Sequence, residues 1–116
     1  MGVALSNLTL DSLSVRTMFQ SFLVDSCRFR ALNAEVFSGS FDVYRSTIRD
    51  LHINLNGIGN WRVEKCDIDT EYLSGDYKHQ CELPRGECRQ MFWTPRNKDA
   101  ELRVILKTEA RVLLQE

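Results

Sequence analysis

Asp67, Asp69 and Glu71 are the residues whose type and spacing come closest to chemistry in this chain. On a strand, positions i, i+2 and i+4 point the same way, so the spacing predicts three carboxylates crowded on one face. Hard cations such as magnesium or calcium take oxygen clusters of this kind, and a metal would relieve the repulsion. Lys65 falls on the same predicted face and would act as an electrostatic helper in a metal-dependent reaction. A solvated strand face or edge accounts for the same carboxylates without any metal, because charge there discourages strand addition.

A second group mixes arginine with aromatic rings. Arg89, Phe92, Trp93 and Arg96 lie close together, with Arg85 just before them. Such mixtures stack on nucleobases and are equally enriched at protein–protein contacts. The chain holds eleven arginines and four lysines, which favours planar, multidentate contacts over a diffuse cationic field. Its net charge of -1 argues against coating nucleic acid or an anionic membrane. A protein partner is therefore the expectation for this segment.

Nucleophilic and metal-thiolate chemistry find less support. His52 and His79 both fall in predicted strands, and no nucleophile elbow accompanies them. Gly57-Ile58-Gly59 lacks the third glycine and the following helix of a phosphate loop. Cysteines stand at 27, 66, 81 and 88. His79, Cys81, Cys88 and Cys66 could supply four zinc ligands, but without the tight C-x-x-C pairs that structural sites use. A Cys66–Cys81 or Cys81–Cys88 disulfide is a further alternative to the buried free thiols taken as the default. No cofactor is expected.

Those residues must be positioned by one domain, 1–116, of ordinary globular composition: 43% apolar and 27% charged. From Trp61 to Glu82 three basic residues face six acidic ones; from Arg85 to Arg111 seven basic face four acidic. Neighbouring strands of opposite charge would pair. No export signal is visible, which points to the cytoplasm. Met1-Gly2-Val3-Ala4-Leu5-Ser6 fits a myristoylation pattern, and only acylation of Gly2 would bring in a membrane. Asn7-Leu8-Thr9 is a glycosylation sequon, relevant only to a secreted chain.

Near the N-terminus Val15, Met18, Phe19, Phe22 and Leu23 recur at i, i+3, i+4, i+7 and i+8, the apolar stripe of an amphipathic helix. Asp11 and Ser12 would cap it and Ser38-Gly39-Ser40 would stop it, giving a helix over 11–37. A competing reading turns Arg28 to Phe37 into a strand. After Gly39 the pattern is strand-like: Leu51, Ile53 and Leu55 alternate with Asp50, His52 and Asn54. Asn56-Gly57 predicts a tight hairpin, Ser74-Gly75-Asp76 and Pro84-Arg85-Gly86 further turns, and Glu101 to Val112 a final strand with one wet face. The expected fold is α+β: an N-terminal amphipathic helix packed on an antiparallel meander of four to five strands, without internal repeats. Its inner face would include Phe19, Phe22, Leu51, Ile53, Leu55, Val104 and Leu106.

Ile48-Arg49-Asp50-Leu51 followed by Gly57 resembles the second half of a cyclic-dinucleotide-binding PilZ motif. That motif requires a serine where His52 stands and an earlier glycine. The stretch from Phe22 to Gly57 is similar to LmeA-like lipid-binding proteins, whose short strands form a lipid-contacting sheet. It covers about a third of the chain with no diagnostic residue, and neither resemblance carries over a site. The sequence thus points to a non-enzymatic protein-interaction module. The alternatives are a metal-dependent enzyme built on Asp67, Asp69 and Glu71, and a lipid- or membrane-associated binding domain.

Overall fold

Asn7 (φ 58°), Ser26 (58°), Arg45 (48°) and Lys65 (57°) all adopt left-handed backbone. They recur at intervals of 19, 19 and 20 residues, and each marks one corner of a coil. The computed structural model describes residues 2–57, 60–76, 78–83, 88–106 and 111–114. Among them are ten strands and no helix: β1 (Gly2–Ser6), β2 (Thr9–Asp25), β3 (Arg28–Tyr44), β4 (Thr47–Leu55), β5 (Asn60–Glu64), β6 (Asp67–Gly75), β7 (Lys78–Leu83), β8 (Cys88–Pro95), β9 (Glu101–Leu106) and β10 (Arg111–Leu114).

Every pairing among them is parallel. The main sheet runs β1-β2-β3-β4-β6-β8-β10, with β5 beside the second half of β3, while β7 and β9 pair separately. The chain therefore winds as a parallel β-solenoid, one rung per 19 to 20 residues. This corrects the α+β expectation and its antiparallel meander. Parallel strands are usually buried on both faces because helices form the crossovers. Here strands form the crossovers, so one face stays wet and the alternation looks antiparallel.

Each rung places equivalent side chains inward. One column holds Phe29, Ile48 and Ile68; the next Leu32, Leu51, Glu71 and Met91; the next Ala34, Ile53, Leu73 and Trp93. Across the coil Phe41 stacks on Phe22, ring centroids 6.0 Å apart, and Val43 pairs with Val24. Leu51, Ile53 and Leu55 are fully buried, as their alternation required, whereas Phe22 is half-buried. The side chains of Phe19, Val104 and Leu106 lie outside the described set.

The stripe that suggested helix 11–37 is produced by two strand segments joined at a bend. Register slips between Thr17, Met18 and Ser21 reset the inward phase, so Val15 and Phe22 face the core while Met18 is 51% exposed. Gly39 sits at the matching bend of the next rung. A Cβ there would lie 2.1 Å from the Gln20 carbonyl oxygen, so close stacking of the two bends requires glycine. Gly57 does take positive φ (61°), but its bend leads from β4 to β5 around one rung rather than closing a hairpin. Ser74 and Gly75 end β6 and likewise close no hairpin, and Pro84-Arg85-Gly86 lies outside the described residues. Of the final predicted strand, Glu101 and Arg103 are exposed and Leu102 is half-buried, as alternation demands. It is split, however: β9 pairs with β7 and β10 with β8.

The corners also explain two cysteines. Cys27, Ser46 and Cys66 each follow a left-handed residue and turn a small polar group inward. The Cys27 thiol donates to the Asp25 carbonyl (3.4 Å), the Ser46 hydroxyl to the Tyr44 carbonyl (2.9 Å) and the Cys66 thiol to the Glu64 carbonyl (3.3 Å). Cys27 and Cys66 are buried free thiols, so the Cys66–Cys81 disulfide is not formed. The side chains of His79, Cys81 and Cys88 lie outside the described set.

Candidate functional site

The predicted carboxylate cluster is divided by a phase slip within each rung. Inward positions in β4 are Ile48, then Leu51, Ile53 and Leu55; in β6 they are Ile68, then Glu71 and Leu73. The gap of three between the first two reverses the face. Asp67 and Asp69 consequently point to solvent, while Glu71 is 1% exposed in a column otherwise occupied by leucines and Met91. Arg89 on the next rung bridges Asp67 (2.8 Å) and also binds Asp69. No group of three metal-ligating side chains occurs among the described residues. Lys65 forms an exposed left-handed corner.

The other predicted group is divided as well. Trp93 is 5% exposed and belongs to the core column, because it shares parity with the inward Met91. Arg89 is taken up by the aspartates. Phe92 and Arg96 remain on the outer surface, and there the coil adds residues that sequence reading missed. Phe92 stacks on Tyr72 (centroids 5.2 Å, planes 9° apart), and Tyr72 stacks on His52 (4.4 Å, 10°). The rung register carries the same column to Asn33 and Ser14.

Beside this ladder runs a column of Arg16, Glu35, Asn54, Ser74 and Thr94. Ser74 donates to the Asn54 side-chain oxygen, and Arg16 pairs with Glu35 at 3.6 Å. Arg96 closes one end: its Nη2 donates to the Leu55 carbonyl and to Asn56 Oδ1 (2.7 Å). Between the columns lies an open groove of about 510 Å³, lined from Ser14 and Asn33 through His52, Asn54 and Tyr72 to Thr94 and Arg96.

The electrostatics of the groove are mild, with one carboxylate and one guanidinium lining it. Stronger fields sit elsewhere on the coil. Arg30 and Arg45 hold the carboxyls of Asp11 and Asp25 below the ordinary range through hydrogen bonds. Partial burial pushes the Asp42 carboxyl up, against the opposing pull of Arg62. What the groove offers is a ring edge on one side and amide, hydroxyl and carboxylate hydrogen-bonding groups on the other, an arrangement suited to binding. The sequence signal that could have revealed it is the interval of twenty joining His52, Tyr72 and Phe92.

No helix among the described residues is long and apolar enough to cross a membrane. No family model, curated protein or solved structure matches the chain.

Proposed function

We propose that this chain is a non-enzymatic binding module that recognises a protein partner on the outer groove of its main sheet. The observation that carries the reading is the ladder of exposed His52 and half-buried Tyr72 and Phe92 beside a hydrogen-bonding column. Half-buried aromatic rings supply large contact area at little cost in side-chain entropy, and such residues anchor protein interfaces. Phe92 and Arg96 retain the role expected of them, while Trp93 supports the surface from beneath and Arg89 is held by Asp67 and Asp69. A metal-dependent reaction is not favoured by any feature of the site, since Glu71 lies on the opposite side of its strand from Asp67 and Asp69.

The test is affinity capture from source cells with the wild-type chain and with His52→Ala/Tyr72→Ala. Arg62→Ala, on a different strand and exposed, serves as control. A partner retained by wild type and control but lost from the double variant is expected, with far-UV circular dichroism unchanged. Equal capture by all three would remove the groove from the reading.

A further inference from the structure

The aromatic ladder stops abruptly. His52, Tyr72 and Phe92 occupy one outward column on three successive rungs, with ring centroids 4.4 Å and 5.2 Å apart and planes within 10°. At the next two rungs the column holds Asn33 and Ser14, both exposed and both without a ring. Among the described residues, His52 therefore has an aromatic neighbour on one face only. The groove opens at this step, where Val15, Ala34, Glu35 and Asn54 also line it.

We infer that the step above Asn33 receives a planar aromatic side chain from an extended segment of the partner, stacked on the open face of the His52 ring. The inference rests on the protein-binding reading of the groove and names what the groove reads.

The coil itself dictates the geometry. Hydrogen-bonded strands are spaced about 4.7–4.9 Å apart, so a ring placed one rung beyond His52 falls at the spacing of the existing ladder. Offset or parallel stacking at such centroid distances is the favoured aromatic arrangement. Around the position stand acceptors for a phenol O–H or an indole N–H: the Glu35 carboxylate and the Asn33 and Asn54 amides. Four rung steps separate the Ser14 strand from the Thr94 strand, roughly 19 Å along the groove, which about six extended residues would span.

Other ligands fit less well. A nucleotide would bring phosphate toward the end lined by Glu35, in a chain of net charge -1. A polysaccharide stacks sugars on successive open ring faces, whereas the facing rings of His52, Tyr72 and Phe92 cover one another.

The experiment is a titration of the isotope-labelled full chain with N-acetyl-tryptophanamide, followed through the ring resonances of His52 and Tyr72 and the Asn54 side-chain amide. N-acetyl-leucinamide, adenosine monophosphate and glucose are run in parallel. A saturable, ring-current-type shift with the tryptophan compound alone is expected. It should be lost in Asn33→Phe, whose added ring extends the ladder and occupies the site, and should move to the Tyr72 ring in His52→Ala, which uncovers the Tyr72 face. Circular dichroism and thermal midpoints verify that both variants fold. Shifts of equal size in Asn33→Phe, an equal response to leucinamide, or a response to the nucleotide or the sugar in place of the ring would overturn the inference. A partner captured by Asn33→Phe as well as by wild type would also overturn it, and would leave the groove itself as the binding surface. Conversely, a saturable ring shift with no partner captured by any form supports the ring site and counts against the protein-binding reading.

Discussion

Lys65 shows how a single residue can oppose the fold that contains it. Left-handed backbone costs a non-glycine residue roughly 1–2 kcal/mol, and Lys65 sits there at φ 57° with an exposed side chain. Lys65→Gly should stabilise the protein by up to about 1 kcal/mol after glycine's larger unfolded-state entropy is subtracted, while Lys65→Val should destabilise it. Urea midpoints at constant slope test both. The aspartates make a second residue-level prediction, with opposite signs. Asp25 is held low by Arg45, so its contribution is present above the ordinary carboxylate range and lost as pH falls through its lowered value. Asp42 is pushed up by burial, so the folded state takes its proton first and stability declines as pH rises through the window above the ordinary value. Asp42→Asn should therefore raise the thermal midpoint at neutral pH and flatten that decline. Asp25→Asn should lower the midpoint at neutral pH, and most of that difference should vanish in acid. A pH series of melting curves for the three proteins decides both.

At the scale of a strand, the inward columns carry the stability and the outward ones carry recognition. Leu51 is fully buried between Leu32 and Glu71, so Leu51→Ala should cost about 2–5 kcal/mol, whereas Met18→Ala at the exposed bend should stay within about 0.5 kcal/mol. Chemical denaturation distinguishes them. The corner column predicts its own tolerance: Ser46 already occupies the position equivalent to Cys27 and makes the same kind of bond to a carbonyl two residues back. Cys27→Ser should cost less than about 1 kcal/mol. The thiols of Cys27 and Cys66 should resist a thiol reagent until the chain unfolds; rapid labelling of native protein would contradict their burial.

For the molecule as a whole, a solenoid is nearly one-dimensional, each rung meeting only its neighbours. Its N-terminal end is stepped: β1 covers Ser21 to Asp25 of β2, while Thr9 to Thr17 pair only with β3 among the described residues. Among the described residues, the exposed large apolar side chains, Val3, Leu8, Leu10 and Met18, belong to this end. Hydrogen exchange should therefore be slowest in β3, β4 and β6 and fastest in β1, with β2 between. Uniform exchange from β1 to β6 would show cooperativity that nearest-neighbour stacking does not supply.

Local pattern was sufficient for some of this. Alternation in 51–55 identified a strand and its buried residues, and alternation at 101–103 identified the wet and dry sides. Asn56-Gly57 marked a real bend with positive φ. Those features depend on a few consecutive residues and the pleat alone. The winding does not. Alternation is the same for parallel and antiparallel neighbours, so nothing within 47–55 reveals that Arg28–Val36 lies on one side and Asp67–Gly75 on the other. The slip after Ile68 is one residue long, yet it moves Glu71 into the core and dissolves the carboxylate cluster. His52, Tyr72 and Phe92 become a ladder only because three rungs stack in register. Strand and face are properties of adjacent residues. Neighbour, register and site arise from contacts about twenty residues apart, which only the folded coil brings together.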